Sequence, residues 1–568
     1  MGDALFSRQF IRSEDVLDAW KRIEPYFDQL RDRSLKTPDE VEKWLIDYCE
    51  LSAALAEVGT DRHVKMTCQT DDESRKKAFF DFLENIDPQV KPRAHELNIK
   101  YAQAPASQQL PKARYEVLDR SIRATVEVYC DENVPLQVEE GKLEQKYQEL
   151  GGGQTVTFDG REQTLQQLAI YTENIDRQIR QDAWETATTR RLQDKGAMED
   201  IFDQLVALRD KMARNADCED YRAYAFKVKQ RFDYTPDDCM AFHDAVERAV
   251  VPVVRELQHK RKDALGVDML RPWDLAVDVK GRGPLHPFET VEQLCERASK
   301  TFHRVDAELG DQFDEMRANH YLDLQSRKGK APGGYQATYE EARHPFIFMN
   351  AVGVQRDVGT LVHEGGHAFH CYAARHDAIY PYRSSPIEFA EVASFGMELL
   401  AMDKLDDFYQ GDEAARAKRT QLEGVIELFP WVATIDAFQH WLYTHPSHTR
   451  DERRAHWLSL HERFGGITDY TGYEDALAYA WHKQLHLFEV PFYYIEYGIA
   501  KLGALQVWRN SLSDYPSAVE SYKSSLALGG SKTLPELFHA AGAKFDFSYE
   551  TLAPLMSLVQ NKLNELPL

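Results

Sequence analysis

The residues best equipped for chemistry lie in one run, Asp357-Val358-Gly359-Thr360-Leu361-Val362-His363-Glu364-Gly365-Gly366-His367-Ala368-Phe369-His370. It contains H-E-x-x-H. On a helix, His363 and His367 stand one turn apart on a common face, so both imidazoles can reach one ion. Glu364 is rotated by about 100° from His363, which keeps it off the ion but beside the water such an ion would hold, where a general base belongs. The bland alternative is a helix with two satisfied histidines. The chain has 20 histidines, so the pattern has chances to arise by accident.

A catalytic zinc usually takes three protein ligands and leaves one place for water. A third histidine six residues beyond His367 is excluded, because that position is Ala373. A glutamate from a following helix is the alternative, and residues 388–398 (EFAEVASFGME) read as that helix. Glu388, Glu391 and Glu398 fall near one face, and the small residues at 390–394 let the helix pack close to another. Glu391 is read as the third ligand, with Glu388 as the competing position and a solvated acidic face as the bland reading. Glu398, two turns along, would hold a ligating histidine from behind. His370 is almost in line with His363, but seven residues is about 10.5 Å along the axis, too far to share an ion. Cys371 follows His367 by four and is sterically able to ligate, although a buried structural cysteine is the commoner state.

The elements that must hold these groups are mostly helical. The chain has 568 residues, 43% hydrophobic and 11% aromatic, enough for a large core and too much for a disordered scaffold. Its formal net charge of -24 argues against a nucleic-acid partner and against an anionic membrane surface. The seven cysteines are odd in number and scattered, with no C-x-x-C. They form neither a disulfide framework nor a cysteine zinc site, so a reducing, cytoplasmic setting is expected. The N-terminus shows no apolar run of a secretory signal, and no stretch approaches a membrane span.

Thr37-Pro38-Asp39-Glu40 and Thr235-Pro236-Asp237-Asp238 read as helix starts. Residues 165–215 read as a long helical stretch broken once or twice. Thr155-Val156-Thr157-Phe158 leads into Asp159-Gly160, the favoured two-residue hairpin turn, and Gly151-Gly152-Gly153 before it as a hinge or loop. Residues 273–279, 320–325 and 345–350 are strand-like, and 328–336 (KGKAPGGYQ) is a loop in which Lys328 and Lys330 read as solvated. Together they predict a small antiparallel sheet near the site. Helix resumes from about 355, and Ser548 starts a last one. The expected fold is mainly α and two-lobed, with an N-terminal helical lobe over 1–230 and a catalytic region over 231–568 in one continuous fold.

The segment VHEGGHAFH, followed 24 residues after its second histidine by the glutamate of AEVAS, resembles oligoendopeptidase F and its relatives. These are zinc metallopeptidases of the gluzincin type, related to thimet oligopeptidase. The resemblance extends to GKAPGGYQATY, HPFIFMN and HLFEVPFYYIEYGIAKLGA and covers roughly residues 330–510, while the N-terminal third resembles the family only in length and helicity. It implies a helical ellipsoid with a deep substrate channel and one zinc per chain, held by His363, His367 and Glu391, with Glu364 as general base. It further implies that His486 contacts substrate and transition state, that Tyr494 and Tyr497 help polarise the scissile carbonyl, and that Gly333 and Gly334 bind peptide backbone beside an edge strand. The spacing from His486 leaves Tyr493 or Tyr494 as the inward-facing ring.

The residues themselves agree in part. Tyr494 and Tyr497 are three apart and share a helical face, and a phenol donates a hydrogen bond without carrying charge. An aromatic core stripe is the bland reading. Glycines at 333 and 334 permit close backbone approach, or make an ordinary turn. The expected activity is cleavage of internal bonds in oligopeptides by a monomer or small homo-oligomer. The alternatives are a related metallocarboxypeptidase, with Arg383 to hold a terminal carboxylate, and a non-catalytic peptide-binding protein.

Overall fold

The computed structural model describes residues 6–567. Helix dominates from Trp20 to Asn564, with a two-stranded and a three-stranded sheet among the described residues. The chain forms two compact units of three segments each. Residues up to 127, 286–414 and 500–545 make the first; residues 128–285, 415–499 and 546 onward make the second. The division therefore differs from a cut near residue 230. Helices Tyr221–Val228 and Pro236–Ala249, on either side of that point, both belong to the second unit, and the N-terminal helices share a unit with the H-E-x-x-H segment. A linear cut cannot describe units whose cores are assembled from distant segments.

In the first unit, Thr37 caps the long helix Pro38–Cys68 through a reciprocal box with Glu40. That helix buries Trp44, Leu45 and Leu51, and the Trp44 indole donates to Leu30 O at 2.9 Å. Its C-terminal end meets the loop after β3 (Leu322–Gln325), because Ala331 N–H donates to Thr67 O at 2.8 Å and Thr70 N–H to Gly329 O at 2.6 Å. β4 (Tyr335–Tyr339) and β5 (His344–Ala351) complete the sheet, in the order β3-β5-β4. β4 pairs antiparallel with β5, as expected, but β3 runs parallel to β5, so the sheet is mixed. Lys330 is not a solvated loop residue. Its ammonium is fully buried and donates to Asp323 Oδ1 at 2.9 Å and Met349 O at 2.6 Å, over the Phe348 ring, which ties the loop to the sheet.

The second unit contains the expected hairpin, β1 (Thr155–Phe158) and β2 (Arg161–Thr164), here numbered in chain order with the three strands above. Asp159 and Gly160 both have positive φ, 51° and 70°, as its two-residue turn demands. Gly151 and Gly152 end the helix Val134–Gly152 and do not form a loop. The strand expected over 273–279 is absent. Pro272–Asp274 is a 3₁₀ turn in which the buried Asp274 carboxylate accepts from Arg177 at 2.7 Å and Arg180 at 3.0 Å. Proline removes a ladder donor there, and the two guanidiniums hold the aspartate inward. Thr235 and Asp238 form a reciprocal box at the start of Pro236–Ala249, and Ser548 is the N-cap of Tyr549–Asn564.

Candidate active site

The H-E-x-x-H segment lies on the helix Gln355–Ala374, which follows β5 through a tight turn. Gly353 takes a φ of 94°, and Asp357 reaches back so that Oδ2 accepts from the N–H groups of Val352, Gly353 and Val354 at 2.8–3.0 Å. Three otherwise orphaned donors are satisfied, and a carboxylate sits at the positive end of the helix. The next helix, Ile387–Ala401, packs directly on this one. A Cβ at Gly366 would lie 2.5 Å from Ala393 O and one at Gly365 would lie 2.7 Å from the Phe302 ring, so the paired glycines of the motif let the helices and their neighbour touch. The Tyr522 hydroxyl donates to the same Ala393 O at 2.6 Å and helps hold the second helix in place.

This crossing brings His363, His367 and Glu391 together. Their ligating atoms all lie within 4.8 Å of one another. Glu391 Oε2 is 3.5 Å from His363 Nε2 and 3.8 Å from His367 Nε2. Two ligands each about 2.1 Å from a tetrahedral ion stand about 3.4 Å apart, so the donor set fits zinc. Glu398 Oε1 is 2.6 Å from His363 Nδ1, which fixes that ring and turns Nε2 toward Glu391. Glu388 is buried and not on a solvated face, but its carboxylate is outside the converging group.

Burial and the two flanking carboxylates act in opposite senses on the histidines. Burial keeps His367 well below the usual imidazole range and therefore neutral. Burial also pulls His363 down, but its bond to Glu398 and the charges of Glu398, Glu391 and Glu364 together outweigh that and raise it. Burial, opposed by His363 and reinforced by Glu391, pushes the Glu364 carboxyl up to about 7. The Gln336 N–H of the edge strand β4 donates to this carboxylate. Glu364, one residue off the metal-facing side of the helix, stands where a general base belongs.

Three further side chains, Lys501, Ser394 and Phe395, touch the site. Lys501 places Nζ 3.8 Å from Glu398 Oε2 and 3.4 Å above the centre of the Phe395 ring. Burial raises the Glu398 carboxyl, but Lys501 and His363 together outweigh this and hold it below its usual range. Lys501 is over 100 residues from Glu398 in the chain, so spacing says nothing about the pair. Ser394 donates to Glu391 Oε2 at 2.8 Å, an i, i+3 contact that the AEVAS string does contain. Phe395 lies against the His363 ring at 5.2 Å between centroids.

Other candidates are placed differently. His370 is buried beside Ser385 Oγ at 3.2 Å, as a core histidine. Cys371 is buried, and burial pushes its thiol up to about 12. Gly333 has a φ of 97°, while a Cβ at Gly334 would lie 3.2 Å from Thr360 on the motif helix. Gly334 seats the loop on that helix, while a Cβ at Gly333 would meet nothing within 4 Å. His486, Tyr493, Tyr494 and Tyr497 lie in the second unit and form one ring cluster, with His486 4.8 Å from Tyr494 and 5.9 Å from Tyr497 between centroids. Gln484 Nε2 is 2.7 Å from His486 Nδ1, and burial, with Lys229, lowers this imidazole to about 4.

A helical fold that sets H-E-x-x-H on one helix against a glutamate of the next is the arrangement of a metallopeptidase. The model of Peptidase family M3 matches residues 170–556, and the chain belongs to that family. It is similar to the oligoendopeptidase F homolog of Borreliella burgdorferi, 24% identical over 296 residues that span 50% of this chain and 48% of that protein. It is also similar to oligopeptidase PepF of Bacillus subtilis, 24% identical over 325 residues that span 56% of this chain and 47% of that protein. The chain thus spans about half the length of these curated relatives in alignment. The solved structure of PZ peptidase A with an inhibitor superposes with a TM-score of 0.89 at 27% identity, covering 98% of this chain and 99% of that one.

Proposed function

We propose that this chain is a zinc-dependent oligoendopeptidase that hydrolyses internal bonds of short peptides. The observation that carries the reading is the convergence of His363, His367 and Glu391 with Glu364 beside them. When bound, zinc supplies Lewis acidity that polarises water and the scissile carbonyl. Glu364 takes a proton from the attacking water at its carboxylate oxygen and passes it to the leaving amine nitrogen. Glu398 keeps the His363 ring oriented through Nδ1. Tyr494, Tyr497 and the neutral His486 are assigned to the carbonyl oxygen as hydrogen-bond donors, and Gly333 and Gly334 to the peptide backbone, on the family resemblance. Glu398, Ser394 and Lys501 position the ligands and do not touch substrate.

The metallocarboxypeptidase reading loses its cation. Arg383 is buried and tied by Nε to Asp377 O at 2.9 Å and by Nη1 to Glu340 O at 2.6 Å, contacts that favour a structural role. A non-catalytic binding protein has no use for a buried base beside a metal site. No described helix is long and apolar enough to cross a membrane, and a cytoplasmic setting is proposed with the substrate class. The test is metal analysis of the pure protein with mass-spectrometric mapping of cuts in a peptide pool, including peptides amidated at the C-terminus. One zinc from this site and internal cuts in amidated peptides are expected, with a folded protein spared. Stepwise loss of C-terminal residues, blocked by amidation, would replace this reading with the exopeptidase one.

A further inference from the structure

A second convergence of metal-ligating side chains lies in the second unit, where Cys239, Asp436 and His440 bring their ligating atoms within 4.8 Å of one another. Two helices build it. Cys239 and His243 are four residues apart on Pro236–Ala249 and share a face; Asp436 and His440 repeat that spacing on Asp412–Thr444. All four side chains are buried, none more than 4% exposed. His243 Nε2 lies 2.9 Å from Asp436 Oδ2, and His440 Nε2 lies 3.3 Å from the same oxygen. Aromatic rings wall the group in. Phe226 and Phe492 lie against His440, and Phe242 and Phe464 against His243.

Protein hydrogen bonds do not account for this arrangement. Nδ1 of His440, Nδ1 of His243 and Oδ1 of Asp436 are buried without a hydrogen-bond partner. Buried polar atoms in folded proteins are almost always partnered, and three exceptions in one apolar enclosure call for something between them. Charge points the same way. A carboxylate sealed among phenyl rings needs a nearby positive charge. A divalent cation with one thiolate, one carboxylate and neutral imidazoles sums to zero.

We propose that Cys239, Asp436 and His440 hold a structural zinc ion, with His243 orienting the Asp436 carboxylate through its 2.9 Å contact. Zinc fits because it accepts thiolate, imidazole and carboxylate together. On binding, the Cys239 Sγ–H bond ionises, its electron pair goes to the metal and its proton to solvent, as thiolate ligation requires. The site would tie the helix Pro236–Ala249 to the helix Asp412–Thr444. It is independent of the peptidase reading, because it shares no residue with the His363 group.

Metal stoichiometry and cobalt spectroscopy on the full chain test this. The wild-type protein, reconstituted with zinc and desalted, is expected to retain two equivalents, and the His363→Ala/His367→Ala variant one. With cobalt in place of zinc, a thiolate-to-cobalt charge-transfer absorption is expected in both proteins. The His363, His367 and Glu391 group has no sulfur, so that band reports Cys239. Cys239→Ser should lose the band and one equivalent. A wild-type protein that takes up only one equivalent and shows no thiolate band overturns the proposal, as does a band that survives Cys239→Ser. The wild-type measurements decide the matter even if a variant fails to fold.

Discussion

Gly366→Ala is the substitution for which the structure makes the sharpest forecast. The added methyl would stand 2.5 Å from Ala393 O and 2.6 Å from Ser394 Cα, both backbone atoms of the facing helix. Ordinary contacts between such atoms begin near about 3.5 Å, so the helices must separate by roughly 1 Å at this point. Ala393 and Ser394 follow Glu391 within one turn, so the displacement is delivered to the third ligand. Metal ligands tolerate deviations of only about 0.2 Å from their ideal distances, so zinc affinity should fall at least about tenfold. Overpacking should cost about 1–3 kcal/mol of stability. Gly359 is the internal control. It lies on the same helix, but a Cβ there meets nothing within 4 Å. Gly359→Ala should therefore leave zinc affinity unchanged and gain about 0.5–1 kcal/mol from helix propensity. Competition with a chromophoric chelator reads the affinities, and denaturant unfolding reads the stabilities. If Gly366→Ala binds zinc as the parent does, the close crossing of these helices does not set the ligand geometry and the reasoning fails.

Four further outcomes follow from the same coordinates. Glu364→Gln should keep stoichiometric metal while peptide hydrolysis falls by about 10²–10⁴-fold; loss of metal from this variant would make Glu364 a ligand. Glu391→Ala should weaken zinc binding, whereas Glu388→Ala should cost stability but not affinity, and the reverse order in a chelator titration would move the third ligand to Glu388. Glu398→Ala should lower zinc affinity about 10–100-fold by releasing the His363 ring, and an unchanged affinity would show that the 2.6 Å contact does not orient the ligand. Asp323 carries a pH signature: burial raises its pKa, but bonds from Arg327 and Lys330 outweigh this and hold it at about 2 against an ordinary 3.8. A depressed carboxylate stabilises the fold above its unfolded pKa, and that stabilisation is lost as pH falls from 3.8 toward 2. The stability gap between wild type and Asp323→Asn should therefore be constant above about pH 4 and narrow below it in urea titrations; a gap that widens on acidification would contradict the pairing.

Local chemistry was legible wherever the signal fits inside a few residues. The capping boxes at Thr37 and Thr235 and the Asp159-Gly160 turn are short-range patterns, because the donors and acceptors concerned lie within one turn of each other. The common face of His363 and His367 follows from helical periodicity alone, and the small residues around Glu391 announced a close helix crossing. The reading of 273–279 as a strand failed because strand-like composition does not reveal that Arg177 and Arg180, nearly a hundred residues earlier, hold Asp274 in a turn.

Sequence alone determined which side chains stand on the metal-facing side of each helix, since 3.6-residue periodicity is a property of the backbone. Tertiary structure decided what those side chains meet. It set Lys501 against Glu398 and the Gln336 N–H on Glu364, and it buried Lys330 under a loop whose composition looks solvated. It also assembled each unit from three separate segments, and ran β3 parallel to β5 while β4 runs antiparallel. The physical reason is that electrostatic and packing energies depend on distance in space. Charges a hundred residues apart in the chain interact strongly once burial removes water from between them, and nothing in their local sequence records the encounter.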